Sequence, residues 1–131
     1  MAIKFIPEDL VPVIHRSLIQ RYGGSYGLRD HGLLSSALGQ AKMTVGGKFA
    51  HRTIFDKAAA YGFHICANHP FVDGNKRVAF AVMYIFLARN GYFLEASEQD
   101  AYQTMMSVAS GQMKKPGLAA WLRSSCKRST Q

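Results

Sequence analysis

Apolar residues fall along the chain in helical stripes, separated by glycine, proline and asparagine. Leu10, Val13, Ile14 and Leu18 recur at the spacing of one helix face. They follow Pro7-Glu8-Asp9, a proline and two acids that favour a helix start. Tyr22-Gly23-Gly24 stops this first helix. A second is expected from about Asp30, carrying Leu33, Leu34, Ala37 and Leu38. Between Lys42 and Arg52 the stretch KMTVGGKFAHR sets Gly46-Gly47 between two short segments, the pattern of a small β-hairpin. Thr53 and Asp56 then form a capping box for a third helix. Its face of Ile54, Phe55, Ala58, Ala59, Gly62, Ile65 and Cys66 includes small residues that admit a close neighbour.

Pro70 ends the third helix at His69, because the residue before a proline is driven out of the α conformation. A fourth helix is expected from about Lys76 to Arg89, with Asn90-Gly91 as its stop. It is apolar on nearly every side, so it belongs at the centre. Ser97 with Asp100 caps a fifth helix ending at Gly111, and Pro116 opens a short sixth bearing Leu118, Trp121 and Leu122. The expected fold is therefore all-α. It is a single-domain bundle of about six helices over residues 1–131, with a central buried helix, a small β-hairpin and a C-terminal tail, about 124–131, free to flex.

Composition narrows this picture. With 131 residues, 48% of them hydrophobic, the chain can bury a core and does not read as disordered. Its longest apolar run, Val78 to Ala88, falls short of the roughly 18 residues of a membrane span, so no membrane partner is expected. The start MAIKFIPEDL lacks the order of a secretion signal, and Cys66 and Cys126 have no disulfide framework around them. A cytoplasmic location is expected. The net charge of +8 calls for an acidic partner: nucleic acid, nucleotide phosphate or an acidic protein. Lys114, Lys115, Arg123, Lys127 and Arg128 lie in an acid-free C-terminal stretch that a solvated basic tail would also explain.

The densest polar chemistry is in NHPFVDGNKRVAF, Asn68 to Phe80. His69 is displayed on a bend, and histidine is the side-chain type whose free imidazole, titrating near neutrality, suits a general base. Gly74 permits a positive φ and leaves room for an approaching group. The N-terminus of the following helix offers unpaired N–H groups to an anion. Lys76 and Arg77 oppose the helix dipole there, which implies a bound anion such as phosphate, and Asp73 is placed to hold a divalent metal. Plainer roles exist: His69 as a helix-end residue, Asp73 as a turn former, Asn75 as an N-cap. Phe71 is assigned to the core. His15, His31 and His51 are read as surface or packing residues. A zinc site at His64, Cys66 and His69 is disfavoured because the two histidines are five positions apart, about 140° around a helix. Gly46-Gly47-Lys48 lacks the rest of a P-loop.

His69 to Arg77, HPFVDGNKR, resembles the signature of the Fic/Doc family, HPFx(D/E)GN(G/K)R, at every defined position. The order of helix, hairpin, helix, motif loop and central helix also fits, and the lysine at Lys76 with the short chain is most similar to the Doc branch of toxins. The resemblance implies a Fic/Doc-like fold and transfer of part of ATP, with Mg2+, to a Ser, Thr or Tyr hydroxyl of a target protein. It implies His69 as base, with Lys76 and Arg77 also catalytic. It further implies Asp73 as metal ligand, and Gly74, Asn75, Lys76 and Arg77 as the phosphate cradle. Thr44, Val45, Gly46, Gly47 and Lys48 would form the target-docking flap.

Adenylylating Fic proteins carry glycine where this chain has Lys76, and a second arginine where it has Phe80. The lysine form implies transfer of the γ-phosphate, with an elongation factor of the Tu type as target and translation blocked. Gly74 is the Fic-like choice at its position, so AMP transfer is the alternative. The resemblance also implies a small acidic antitoxin, since the family's inhibitory pattern (S/T)xxxE(G/N) does not occur in this sequence. A more distant alternative is a basic RNA- or ribosome-binding protein. No RNA-recognition signature supports it, and nucleic acid is not expected as a direct partner.

Overall fold

The computed structural model describes residues 2–129. Six helices follow in order: α1 (Leu10–Tyr22), α2 (His31–Ala41), α3 (Ile54–Asn68), α4 (Asn75–Arg89), α5 (Glu98–Ala109) and α6 (Lys115–Ser125). Between α2 and α3 lies the hairpin of β1 (Thr44–Val45) and β2 (Lys48–Phe49), with Gly46 and Gly47 at φ 60° and 80° in its turn. The domain is the helical bundle expected from the sequence.

Local side chains explain most helix starts. The Asp30 carboxylate accepts from Leu33 N–H at 2.9 Å, and Ser97 caps Asp100 N–H at 3.0 Å. Thr53 and Asp56 exchange both bonds of a capping box. The first helix begins later than Pro7: the carbonyls of Pro7 and Glu8 accept from Leu10 and Val11, and Pro12, which has no N–H to offer, sits in the first turn.

Position at the centre is shared by two helices. α4 packs on α1, α3 and α5, while α3 also meets α2, α5 and α6. The buried stripe of α4 is Asn75, Val78, Ala79, Val82, Met83, Phe86 and Leu87. Phe80, Tyr84 and Ile85 are only half-buried, so the helix is not enclosed all round. Gly62 of α3 permits the close α3–α4 approach, since a methyl group there would overlap the Met83 thioether.

The sequence pattern misses a second strand pair. β3 (Tyr92–Leu94) pairs antiparallel with β4 (Cys126–Arg128), with Phe93 opposite Lys127. Residues 126–128, read as part of a flexible tail, are thus bound to the body of the domain, and Ser129 N–H donates to Gly91 O at 2.8 Å. The rest of that tail, residues 130 and 131, lies outside the described residues. Among the described residues no helix is long and apolar enough to cross a membrane.

Candidate active site

α3 ends at His69, as Pro70 requires, but in an unexpected conformation. His69 has φ 51° and ψ 56°, and among the described residues it is the only one other than glycine with a positive φ. A side-chain-bearing residue held there costs about 1–3 kcal/mol, which surrounding contacts must offset. The main chain of residues 27–30 supplies such contacts. Arg29 and Asp30 N–H both donate to Pro70 O, at 2.7 and 3.1 Å, Val72 N–H donates to Gly27 O at 3.0 Å, and Leu28 and Phe71 form an antiparallel bridge. The loop between α1 and α2 is therefore a strap along the motif. No hydrophobic alternation marks it in the sequence.

Asp73 is exposed, yet both its carboxylate oxygens are oriented. Oδ2 accepts from Ser25 N–H at 3.0 Å and Oδ1 from Gly74 N–H at 2.8 Å. These main-chain donors hold its carboxyl below the usual carboxylate range, assisted by the nearby Arg77 guanidinium. Gly24 makes the approach possible, because a methyl group there would stand 2.6 Å from Oδ2. His15, read from sequence as a surface or packing residue, is buried in α1 and acts on the same turn. Its ring stacks on Phe71 at 4.0 Å and 10°, and Nε2–H donates to Asp73 O at 2.7 Å. That acceptor fixes the protonated nitrogen as Nε2. Phe71 is buried, as expected.

Gly74, at φ 76°, is the N-cap of α4. Asn75 is not the cap but the first helical residue. Its Oδ1 accepts from Phe71 N–H at 3.0 Å and its Nδ2 donates to Phe71 O at 2.9 Å, so its buried carboxamide closes the loop on itself. The first bond of α4 runs from Val78 N–H to Gly74 O, which leaves the N–H groups of Asn75, Lys76 and Arg77 open to an anion. The side chains of Lys76 and Arg77 are exposed above them, and the Arg77 guanidinium lies 4.7 Å from the Tyr22 ring centroid.

The hairpin, whose residues Thr44, Val45, Gly46, Gly47 and Lys48 are all exposed, is anchored from below. Lys57 of α3, buried against expectation for a lysine, donates through Nζ to His51 O at 2.7 Å and Arg52 O at 3.0 Å. Its ammonium also sits 4.3 Å from the Phe49 ring centroid. Burial lowers its pKa. Farther along, Lys115 of α6 lies 3.3 Å from His51 Nε2 and 2.9 Å from His64 Nε2. Burial first, then the Lys115 charge, pushes the His64 imidazole down to about 4.

The loop thus displays an exposed imidazole, an oriented carboxylate and a basic helix N-terminus within nine consecutive residues. An ionised carboxylate with one N–H on each oxygen keeps lone pairs free for a hard cation. Magnesium, which binds through one or two carboxylates plus substrate phosphates, fits Asp73 in that way. Sequence reasoning found the motif residues. It did not find the residues that hold them, His15, Gly24 and Arg29, nor Lys57 beneath the hairpin.

Residues 5–87 match the Fic/DOC family. Over 75 residues the chain is 44% identical to Toxin Doc of Mycolicibacterium smegmatis, covering 57% of this chain and 58% of that protein. Over 118 residues it is 32% identical to Protein kinase doc of Escherichia phage P1, covering 89% and 90% of the two chains. With the family match spanning more than half its length and the motif loop folded onto the start of α4, the chain belongs to the Fic/DOC family.

Proposed function

We propose that this protein is a Doc-like toxin that transfers the γ-phosphate of ATP to a hydroxyl of a target protein. The observation that carries the reading is the open N-terminus of α4, topped by Lys76 and Arg77 and flanked by Asp73 and His69. Phosphate oxygens are held by the N–H groups of residues 75–77, with Arg77 able to make a bidentate contact and Lys76 acting as a point charge. Magnesium, when bound at Asp73, supplies neutralisation of phosphate charge. His69 takes the proton from the target's Ser, Thr or Tyr hydroxyl as its oxygen bonds to the γ-phosphorus, and the bond to the β-phosphate oxygen breaks to release ADP.

A lysine at position 76 in place of glycine supports γ-phosphate over AMP transfer, as does the name of the phage relative. The exposed hairpin supports docking of an extended target segment by main-chain hydrogen bonds, which need no particular side-chain sequence. A translation factor of the Tu type is the proposed target, so modification would stop protein synthesis in the cytoplasm. The net charge of +8 favours rapid capture by a small acidic antitoxin, in keeping with the toxin name of the mycobacterial relative.

His69→Ala tests the proposal. Transfer should fall by about 10² to 10⁴ while ATP affinity stays near the wild-type value, because a general base acts in the transition state. Unchanged turnover in that variant would overturn it.

A further inference from the structure

The αL conformation of His69, whose N–H still donates to Ile65 O at 3.0 Å, needs a cause, since Pro70 disfavours the α region but does not select the left-handed one. Three successive carbonyls at this bend, those of Asn68, His69 and Pro70, are all taken by one residue. Arg29 Nη2 donates to Asn68 O at 3.0 Å, Arg29 Nε to His69 O at 2.9 Å, and Arg29 N–H to Pro70 O at 2.7 Å. A planar guanidinium presents its donors in a fixed fork, so two adjacent carbonyls can be gripped at once only in one relative orientation. Because these two carbonyls flank the His69 Cα, that orientation sets φ and ψ there together, and with them the direction in which the imidazole leaves the main chain.

We infer that Arg29 is the positioning residue for His69, an inference that rests on His69 being the base. The fork also places a positive charge at the negative end of α3 and occupies carbonyls that the helix leaves unpaired. A helix cap alone would account for stability. It would not account for a fork that spans the base itself. The strap survives loss of the side chain, because the Arg29 and Asp30 main-chain bonds to Pro70 O do not depend on it.

The decisive experiment compares Arg29→Ala and Arg29→Lys with wild type in two readouts. The first is the backbone chemical shifts of His69 measured by NMR, which need no activity. The second is kcat and ATP affinity for phosphate transfer, repeated in a His69→Ala background and with added methylguanidinium. In Arg29→Ala the His69 signals should leave the left-handed range, and kcat should fall by about tenfold to a hundredfold at unchanged ATP affinity. Methylguanidinium should restore part of the rate, Arg29→Lys should recover less than half of it, and adding Arg29→Ala to His69→Ala should cost nothing more. His69 signals that stay left-handed, or losses that multiply in the double variant, would overturn the inference. A wild-type protein that transfers no phosphate would instead remove the proposed function, and the His69 signals would still decide what Arg29 does.

Discussion

Gly24 is packed so closely on Asp73 that a single added methyl group would stand 2.6 Å from carboxylate oxygen Oδ2, inside contact distance. The turn after α1 is thereby tied to the proposed metal ligand, although Ser25 and Asp73 lie 48 positions apart in the chain.

Gly24→Ala is expected to push the Asp73 carboxylate off its Ser25 bond and weaken Mg2+-dependent ATP binding by about tenfold, as happens when a ligand's supporting contacts are lost. Gly23→Ala provides the control. Gly23 also has a positive φ, but nothing lies within 4 Å of its added methyl. Magnesium titrations of nucleotide binding should separate the two variants, and equal Mg2+ dependence would argue against a metal at Asp73.

Lys57 should matter to the target but not to the nucleotide. Lys57→Met keeps the length of the side chain while leaving His51 O and Arg52 O without their donor, at a cost of about 1–3 kcal/mol in stability. The hairpin loses its anchor, so modification of the target should fall about tenfold with ATP affinity intact. Deleting Val45 to Lys48 should do the same. Calorimetry with ATP and a transfer assay on each variant check this, and full turnover after the deletion would remove the hairpin from target docking.

Much of this organisation is written locally and was legible for that reason. Asp30, Thr53 with Asp56, and Ser97 with Asp100 each cap a helix within three residues of themselves, so spacing alone identifies them. The HPFVDGNKR loop is contiguous, and its polar residues announce themselves against an apolar helix. The strap over residues 24–30 is different. Apart from the Arg29 guanidinium, it binds through main-chain groups to residues some 40 positions away, and main-chain bonding leaves no signature in side-chain type. β3 and β4 are three residues each, too short for alternation to show. His15 and Lys57 mislead in opposite ways. One sits on an apolar helix face and does polar work, and the other is a lysine buried by partners that only the fold supplies.

Stability should depend on pH through the contact between α3 and α6. Burial and the Lys115 charge push the folded His64 imidazole down to about 4 from its usual 6.5, so the unfolded chain binds more protons between those values. The stabilisation is complete above about pH 6.5 and is lost as pH falls toward 4. His51, also lowered by burial and by Lys115, acts in the same direction. Denaturant midpoints followed over this range should decline for wild type and decline less for His64→Phe. Parallel profiles would show that the cluster around Lys115 does not control the acid response.

The most direct measurement is transfer of label from ATP to protein, using the purified wild-type chain, Mg2+ and a Tu-type elongation factor. ATP labelled at the γ-phosphorus and ATP labelled at the α-phosphorus are run in parallel, with His69→Ala as the control. Phosphoryl transfer moves the γ-label alone, so the factor should become labelled only from γ-labelled ATP, and only by the protein that retains His69. Labelling from the α-position would establish AMP transfer instead, and labelling from neither would contradict the phosphotransferase reading of this site.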